Sequence, residues 1–538
     1  MTVSQPALQS LHLVVCVHGF VGTPQDLKYV SGALLNAGGP QSFILGQHHA
    51  ESKRLRAEVD VESQTSESIS ETIVVLNSAA NVGRTFDGID ICSYNLLNEI
   101  KDQVKALRTT TTADGLPNHI SKFSFVGHSL GGLIARFTLG LLENDGFFSS
   151  VPHDQIHDVE DENLRLALGQ PPQPGIFATF ATPHLGIPPD SRTGWPWLER
   201  RSAASLGRTG IQLYLFDEDW VQHESDRTSS SGSMGILEAM VQPTSAFISG
   251  LNRFPRIVSY ANATYDYPVA FRTSALFTAD PFAARGLKMQ MDAKYEGIIA
   301  SYSLPPRPAS GLQRFLRRLA PPSVLNPRRI PLPFPLNYLA LAVVPIGVVM
   351  APFILAYVFI NFRINAFKSN IRVRKQLRAM RLDAQRARPQ QLTQGADERA
   401  QRAADVTWYS QSRAKLLGSP PKDPQSDPAT VNASHVQTAS PHKLSKLISS
   451  LITQSCPKYP LPAELPKGQR ALTSVQLRIV GLWMSILGTK FERFFVKVED
   501  VLDAHPLIVV RREENSTDIR GRSIVQHFID HFITPLQS

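Results

Sequence analysis

Cysteine is scarce in this 538-residue chain, which contains only Cys16, Cys92 and Cys456. Their number is odd and their spacing is wide, so they predict neither a disulfide framework nor a cysteine metal site. The first ten residues, MTVSQPALQS, lack the basic start and the apolar run of a signal peptide. Both absences favour a protein of a reducing compartment.

Acidic residues are missing from one long window. Between Gly297 and Leu382 there is no Asp or Glu, but there are 13 Lys and Arg. This local excess is larger than the net charge of the whole chain, +9, so the rest of the chain is not basic. We therefore expect one local basic surface and no nucleic-acid partner.

Short apolar segments alternate with helical patterns, and one more apolar segment lies near the C-terminus. Such alternation is typical of a parallel sheet covered on both faces, so the sequence predicts the α/β class with a mostly parallel sheet. The predicted strands are Leu11–Val17, Glu71–Leu76, Phe123–Val126, Ile176–Ala181, Arg256–Ala261 and Phe491–Val498. The predicted helices are Asp90–Leu107, Leu130–Leu142 and Ser523–Phe532.

A serine stands between two glycines in KFSFVGHSLGG, where a strand should pass into a helix. Strand, G-x-S-x-G and helix is the arrangement of a nucleophile elbow, so Ser129 is the candidate nucleophile. Gly127 and Gly131 are expected because side chains there would collide with the neighbouring strand and helix. The N–H of Leu130, at the helix N-terminus, is one candidate oxyanion donor. The competing interpretation is a glycine-rich junction with a capping serine.

The stretch VVCVHGFVG follows the first strand and supplies a second candidate donor, the N–H of Phe20. His18, in this stretch, and His128, next to the serine, are expected to be structural. The acid should follow the serine in the chain and the base should follow the acid.

Asp266 lies on a loop beyond a predicted strand and is the candidate acid, with Asp217 and Asp280 as weaker choices. His505 follows the last predicted strand and is the candidate base. His184, His527 and His531 are its competitors.

Tyr338–Ile360 is a run of 23 residues without a charge, and it contains Pro345 and Pro352. Its length suits a membrane span, but the two prolines and the basic residues on both sides favour a hairpin that enters and leaves on one side. A buried core helix is the remaining alternative. The flanking basic residues are Arg314, Arg317, Arg318, Arg328, Arg329, Arg363, Lys368, Arg372, Arg374 and Lys375.

Asp266 and His505 are 239 residues apart, so the apolar run and the polar segment after it are expected to be insertions in one hydrolase domain. Met380–His442 is rich in polar residues and predicts a disordered or loosely helical linker. The predicted division has four parts: 1–300 for the N-terminal part of the core, 301–380 for a membrane-anchoring insertion, 381–455 for the linker, and 456–538 for completion of the core.

Five blocks of the sequence resemble one known family. They are LHLVVCVHGFVGTPQDLKYV, NVGRTFDGIDICSYNLLNEI, KFSFVGHSLGGLIARFTLGLL, FATFATPHLGI and YANATYDYPVAFRTSA. Together they are similar to the fungal and plant putative serine esterases, lipase-like proteins long described as a domain of unknown function. The apolar insertion looks like that of the fungal lipid-droplet phospholipase group.

The resemblance implies an α/β-hydrolase fold and hydrolysis of lipid esters with no metal or organic cofactor. It carries the nucleophile to Ser129 and the acid to Asp266. DAHPLIVVR resembles the block that holds the family's histidine, at His505, although Pro506 replaces the usual small residue.

We therefore expect a serine lipase that acts on phospholipid or acylglycerol esters. It would bind a membrane or lipid-droplet monolayer through Tyr338–Ile360, on the cytosolic face of a lipid droplet or of the endoplasmic reticulum. The alternatives are a lipid acyltransferase with the same three residues and a catalytically silent scaffold at a lipid surface.

Overall fold

The computed structural model describes residues 9–46, 49–59, 72–109, 118–149, 170–188, 195–221, 233–283, 287–304, 335, 338, 344–386, 416–417, 436, 441–462, 465–466 and 468–537. Within them lies a nine-stranded sheet of order β2-β3-β1-β4-β5-β8-β11-β10-β9. Its strands are β1 (Gln9–Val17), β2 (Phe43–Ile44), β3 (Thr72–Asn77), β4 (Asn118–His128), β5 (Gln173–Phe180), β8 (Arg256–Asn262), β9 (Lys288–Met291), β10 (Ile298–Ser303) and β11 (Phe491–Val496). A separate ribbon pairs β6 (Trp220–Val221) with β7 (Ser233–Met234).

The pairing in the large sheet is parallel from β2 through β11 and antiparallel only for β10 and β9. Successive residues of β1 belong to different apolar clusters, Leu13 and Val15 to one and Val14 and Cys16 to the other. Both faces of the sheet are therefore covered, which explains the continuous apolar runs in the central strands. The predicted α/β class and the mostly parallel sheet are confirmed.

Helices of very different length cover the two faces. The N-terminal helices are α1 (Lys28–Ala37), α2 (His49–Glu58), α3 (Ile89–Thr109), α4 (Leu130–Asn144), α5 (Pro196–Ser205), α6 (Gly207–Leu213), α7 (Ile236–Ala239), α8 (Ala246–Arg253) and α9 (Phe271–Ala275). The later ones are α10 (Val344–Arg386), α11 (Pro441–Ser455), α12 (Ser474–Leu487), α13 (Arg522–Phe528) and α14 (Thr534–Gln537). A π-helical turn at Ile529–Ile533 joins the last two.

The late strand β11 lies inside the sheet, between β8 and β10. Its residues run in register with β8, from Phe491 beside Ile257 to Val496 beside Asn262. On its other side it pairs with β10 at Ile298. The sheet is therefore built from both ends of the chain, and the long helix α10 belongs to the connection between two adjacent strands.

The range 381–455 differs from the predicted linker at both ends. Residues 381–386 still belong to α10, and Pro441–Ser455 forms α11. In α11, Leu444, Ile448 and Ile452 recur every four residues and are buried in the core, so this polar-looking segment carries a narrow apolar stripe. Residues 387–415, 418–435 and 437–440, which hold most of the predicted linker, lie outside the described residues.

The predicted hairpin in Tyr338–Ile360 is wrong for the described part of this segment. From Val344 onwards the chain is one helix of 43 residues that passes through Pro352 without a turn. An interior proline removes one hydrogen bond and costs about 3 kcal/mol, whereas a turn would leave several backbone groups unpaired among apolar side chains. Residues 339–343, before the helix, are not among those described.

Part of α10 is the one described helix that is long and apolar enough to cross a membrane by length and composition, and it spans Val349–Met380. Only 6 % of its most apolar stretch is buried within the protein, unlike a core helix. We call residues 344–360 the apolar arm, because every side chain described there is exposed.

Candidate active site

Ser129 lies where β4 ends and α4 begins, in a strained backbone conformation. Its φ of 54° and ψ of −128° belong to a sparsely populated region that costs about 1–3 kcal/mol for a residue with a side chain. The Ser129 N–H donates to the carbonyl of Phe180 on β5, at 2.8 Å, which holds the bend against the sheet. The serine is 7 % exposed. Its position at the carboxyl edge of the sheet is that of a nucleophile elbow.

The glycines around this serine lie where a side chain cannot fit. A Cβ on Gly127 would lie 2.5 Å from Cα of Gly132, and a Cβ on Gly131 would overlap the carbonyl oxygen of Val17. On the other side, a Cβ on Gly19 would lie 2.8 Å from Cβ of Ser129. The turn therefore allows the backbone of β1 and its following loop to approach the serine directly.

Asp266 and His505 meet at the same edge of the sheet. Nδ1 of His505 lies 3.0 Å from Oδ1 and 3.1 Å from Oδ2 of Asp266. The carboxylate also accepts hydrogen bonds from the side chain of Asn262, at 2.8 Å, and from the backbone of Val269, at 2.9 Å. Because a carboxylate only accepts, Nδ1 of His505 carries the proton and Nε2 is left as the basic nitrogen.

The environment of His505 favours its charged form. Burial alone would lower the pKa of this imidazole, but the charge of Asp266 and its hydrogen bond outweigh burial, and the pKa is raised above its usual value. Asp503 adds to this effect and also accepts the backbone N–H of His505 at 3.0 Å. The site can therefore stabilise an imidazolium that forms during a reaction.

His128 connects the elbow to the histidine loop. Its Nε2 donates to the backbone carbonyl of His505 at 3.1 Å, and the centroids of the two rings are 4.8 Å apart. Burial, with a smaller contribution from His505, holds the pKa of His128 well below its usual value, so this ring stays neutral. The residue next to Ser129 thus anchors the loop that carries His505.

The loop after β1 lies beside the serine. The N–H of Val21 donates to Oγ1 of Thr85 at 2.9 Å, and Val21 has a positive φ of 55°. Nδ1 of His18 is 3.0 Å from the carbonyl of Gly19, so this histidine shapes the loop. In the described part of the chain, the backbone N–H groups of Phe20 and Leu130 donate to no other protein group, as free oxyanion donors require.

The competing acids and bases lie elsewhere. Asp217 accepts the backbone N–H of Ile236, and burial raises its pKa to about 7. Asp280 accepts the backbone N–H of Phe282. The side chains of His184, His527 and His531 contact residues other than the proposed acid: Thr179, Tyr260 and Tyr295, respectively.

Two neighbours of the candidate residues, Asn262 and Thr85, were not predicted from the sequence. Asn262 is the last residue of β8 and orients Asp266, so a polar residue at the carboxyl end of a parallel strand was the available signal. Thr85 carries no such signal, because only the fold brings it to Val21. Among the described residues, no group of three or more His, Cys, Asp or Glu is placed to hold a metal ion.

Comparison with known proteins agrees with this architecture. Residues 8–276, half of the chain, match the family model described as putative serine esterase (DUF676). The chain is 25 % identical over 273 residues to a putative lipase of Schizosaccharomyces pombe, covering 50 % of this chain and 30 % of the relative. It is 27 % identical over 266 residues to the putative lipase ROG1 of Saccharomyces cerevisiae, covering 48 % and 32 %.

The chain thus spans about a third of the length of the curated relatives it matches. The match with the family model includes the strand–serine–helix elbow and the loop after β1, and it ends beyond Asp266. On this evidence the chain belongs to the putative serine esterase family.

Proposed function

We propose that this protein is a serine-dependent hydrolase of lipid esters, with Ser129 as nucleophile, His505 as base and Asp266 as the acid that orients it. The observation that carries the proposal is the Asp266–His505 pair beside the elbow, with its 3.0 Å hydrogen bond. These two residues are 239 positions apart in the chain. A purely structural role does not require them to pair where the ring of His505 contacts His128, the residue next to the strained serine.

In the proposed reaction Oγ of Ser129 attacks the ester carbonyl carbon while Nε2 of His505 takes its proton. The carbonyl oxygen becomes an oxyanion and accepts from the N–H groups of Phe20 and Leu130. The C–O bond to the alcohol then breaks, and the imidazolium returns its proton to that alcohol, which leaves an acyl-enzyme. A water molecule then attacks the acyl carbon while Nε2 of His505 takes its proton. The bond from that carbon to Oγ of Ser129 breaks, and the imidazolium returns the proton to Oγ, which releases the fatty acid and free Ser129.

The apolar arm supports a lipid surface as the place of action. Ile346, Phe353, Leu355 and Tyr357 are each more than 60 % exposed, and successive residues of a helix point in all directions. A protein partner usually covers one stripe of a helix, whereas a helix that is apolar all round suits the interior of a lipid layer. We propose that residues 344–360 insert into a membrane or lipid-droplet monolayer and that phospholipid or acylglycerol esters are the substrates.

The sheet limits how this insertion can be arranged. β10 lies before the apolar segment and β11 after it, and the two strands are hydrogen-bonded neighbours. The connection between these strands must therefore start and end on the same side of the lipid, which a droplet monolayer or one leaflet of the endoplasmic reticulum allows. The exposed basic residues Arg363, Lys368 and Arg374, on the next turns of α10, suit anionic headgroups on that side.

The proposal is tested with the full chain and the Ser129→Ala variant. Wild type should release fatty acid from mixed phospholipid and triacylglycerol emulsions. It should also be labelled by a fluorophosphonate, because Oγ of Ser129 attacks the phosphorus and displaces fluoride. Ser129→Ala should lose both. Equal hydrolysis or labelling by the two proteins would end the proposal. Acyl transfer to an added alcohol in preference to water would assign the acyltransferase alternative instead.

A further inference from the structure

The second half of α10 packs against the candidate active site. From Phe362 onwards one face of the helix is partly or fully buried, with Ala366, Ser369 and Val373 inside the protein, while the other faces stay in solvent. The spacing of these residues, about one every three to four, is that of a helix stripe lying on a protein surface. The helix that carries the apolar arm is therefore also a packed element of the hydrolase core.

Phe362, the first residue of this stripe, contacts the loop that holds the candidate oxyanion donor. Its ring centroid lies 6.1 Å from that of Phe20, edge to face at 82°, and 5.7 Å from that of Phe86, at 77°. Phe20 and Phe86 are themselves 4.7 Å apart. Three aromatic rings thus form one cluster, and such contacts prefer defined angles and distances.

The loop after β1 is short, so the aromatic cluster can hold its backbone in one position. Gly19 approaches Ser129, Phe20 carries its ring into the cluster, and Val21 is hydrogen-bonded to Thr85. Three consecutive residues thus connect the candidate nucleophile to α10. A shift of the Phe20 ring would move the peptide groups on either side of it.

Polar contacts of Arg372 and Gln376 hold α10 in this position. Arg372 forms a two-point ion pair with Asp87, at 2.7 Å and 3.2 Å, and Asp87 is buried with 1 % side-chain exposure. One turn later, Gln376 donates to the side chain of Asn95 at 2.8 Å. Paired guanidinium and carboxylate groups are directional as well as strong, so they fix the register of the helix against the segment that contains Phe86.

We infer that Phe362 is a positioning residue for catalysis: through Phe20 it sets the N–H that binds the oxyanion, and it links the lipid-inserting helix to the reaction. The inference rests on the proposed esterase function. Phe362 touches no reacting atom in this scheme, so its loss should act on the transition state and leave substrate binding nearly unchanged.

The test compares Phe362→Ala with Phe367→Ala in the full chain. Phe367 lies on the same helix but is 66 % exposed, so it is the matched control. The substrate is a short, soluble p-nitrophenyl ester, which removes lipid binding from the measurement. Loss of a whole oxyanion donor lowers kcat about 10²–10³-fold, so a displaced donor should lower it about tenfold, with KM within about twofold. Phe367→Ala should match wild type.

Inhibition by a trifluoromethyl ketone is a second test of how well the N–H of Phe20 stabilises the oxyanion. Oγ of the serine adds to its carbonyl carbon and leaves a negative oxygen, so its inhibition constant should rise in parallel with the fall in kcat/KM. Phe362→Tyr, which keeps the ring, should restore both values. If Phe362→Ala fails to fold, Phe362→Leu replaces it and should show a smaller loss of the same kind. Unchanged kcat and inhibition constant, or an equal fall in Phe367→Ala, would overturn the inference.

Hydrogen exchange separates this inference from the proposed function. Amides of residues 18–22 should exchange faster in Phe362→Ala than in wild type and Phe367→Ala, whether or not any ester is hydrolysed. No change in their exchange would contradict the positioning role. Absence of esterase activity in the wild type would instead contradict the proposed function.

Discussion

At the scale of the residue, Ser129 shows how the fold holds a strained backbone conformation in place. Its backbone adopts a conformation that a side chain disfavours, and it keeps that conformation because β5 holds its N–H and the surrounding glycines leave it room. Strain of this kind persists only where the rest of the fold determines it. The conformational strain is confined to Ser129, but the contacts that maintain it come from β1, β5 and α4 together.

A methyl group at Gly131 should break this support. In Gly131→Ala the Cβ would overlap the carbonyl of Val17, and the backbone of β1 or α4 would have to move. We expect a loss of about 1–3 kcal/mol in the free energy of unfolding, measured by urea denaturation, and at least a tenfold lower esterase rate. Gly347→Ala is the control, since its Cβ would meet nothing within 4 Å. A variant as stable and active as wild type would show that the elbow is looser than described.

The pH dependence of activity should report the pair of Asp266 and His505. Only a neutral imidazole can take the serine proton, so kcat/KM should rise with pH through the pKa of His505, above its usual 6.5. Asp266→Asn removes the negative charge that raises the pKa of His505, so the acidic limb of the pH profile should move to lower pH. The value of kcat should also fall about 10⁴-fold, as expected when this carboxylate is replaced by an amide. An acid limb at the same pH in both proteins would separate Asp266 from the titrating base.

At the scale of elements, the pattern of apolar runs predicted the central strands well. β1, β4, β5, β8 and β11 all lie where the sequence indicated them, because strands buried on both faces have few polar residues. Edge strands lack this signal: β9 is mostly exposed and β2 has two residues, and neither was predicted. These edge strands form where a neighbouring strand offers backbone hydrogen bonds, and local composition does not determine their position.

Two helices show where local rules failed. Pro352 was expected to break the apolar run. Because its neighbours on both sides are apolar, a continuous helix costs less free energy there than a turn with unpaired backbone groups. α11 lies in a serine-rich segment whose apolar residues recur every four positions. This spacing determines a helix only because those residues are buried against α12. In both cases the surroundings outweighed the residue preferences.

Charges placed on the apolar arm should separate lipid binding from chemistry. We expect the double variant Phe353→Glu, Phe359→Glu to lose flotation with phosphatidylcholine vesicles that contain anionic lipid, since each charge in hydrocarbon costs about 2.5–3.5 kcal/mol. Hydrolysis of a soluble ester should persist, because neither residue is in the packed stripe. Leu382→Glu, on the other end of α10, is the control and should float like wild type. Flotation of the double variant at wild-type levels would contradict lipid insertion by the arm.

At the scale of the whole molecule, the sequence indicates the candidate residues but not the contacts around them. Motif and chain order were enough to nominate Ser129, Asp266 and His505, and the structure brings the last two within hydrogen-bond distance. The contacts of His128 and Phe362 could not be predicted, because each joins segments more than 270 residues apart in the chain. Such contacts depend on the order of strands in the sheet and not on any local pattern.

The position of β11 between β8 and β10 also means that the sheet could be assembled from two separate pieces of the chain. One piece, ending before α11, would carry the candidate nucleophile and the candidate acid. The other would carry the candidate base, and β11 would hold it in place by pairing with both neighbouring strands. Neither piece holds all three groups, so cutting the covalent path between α10 and α11 would leave activity dependent on reassociation of the fragments.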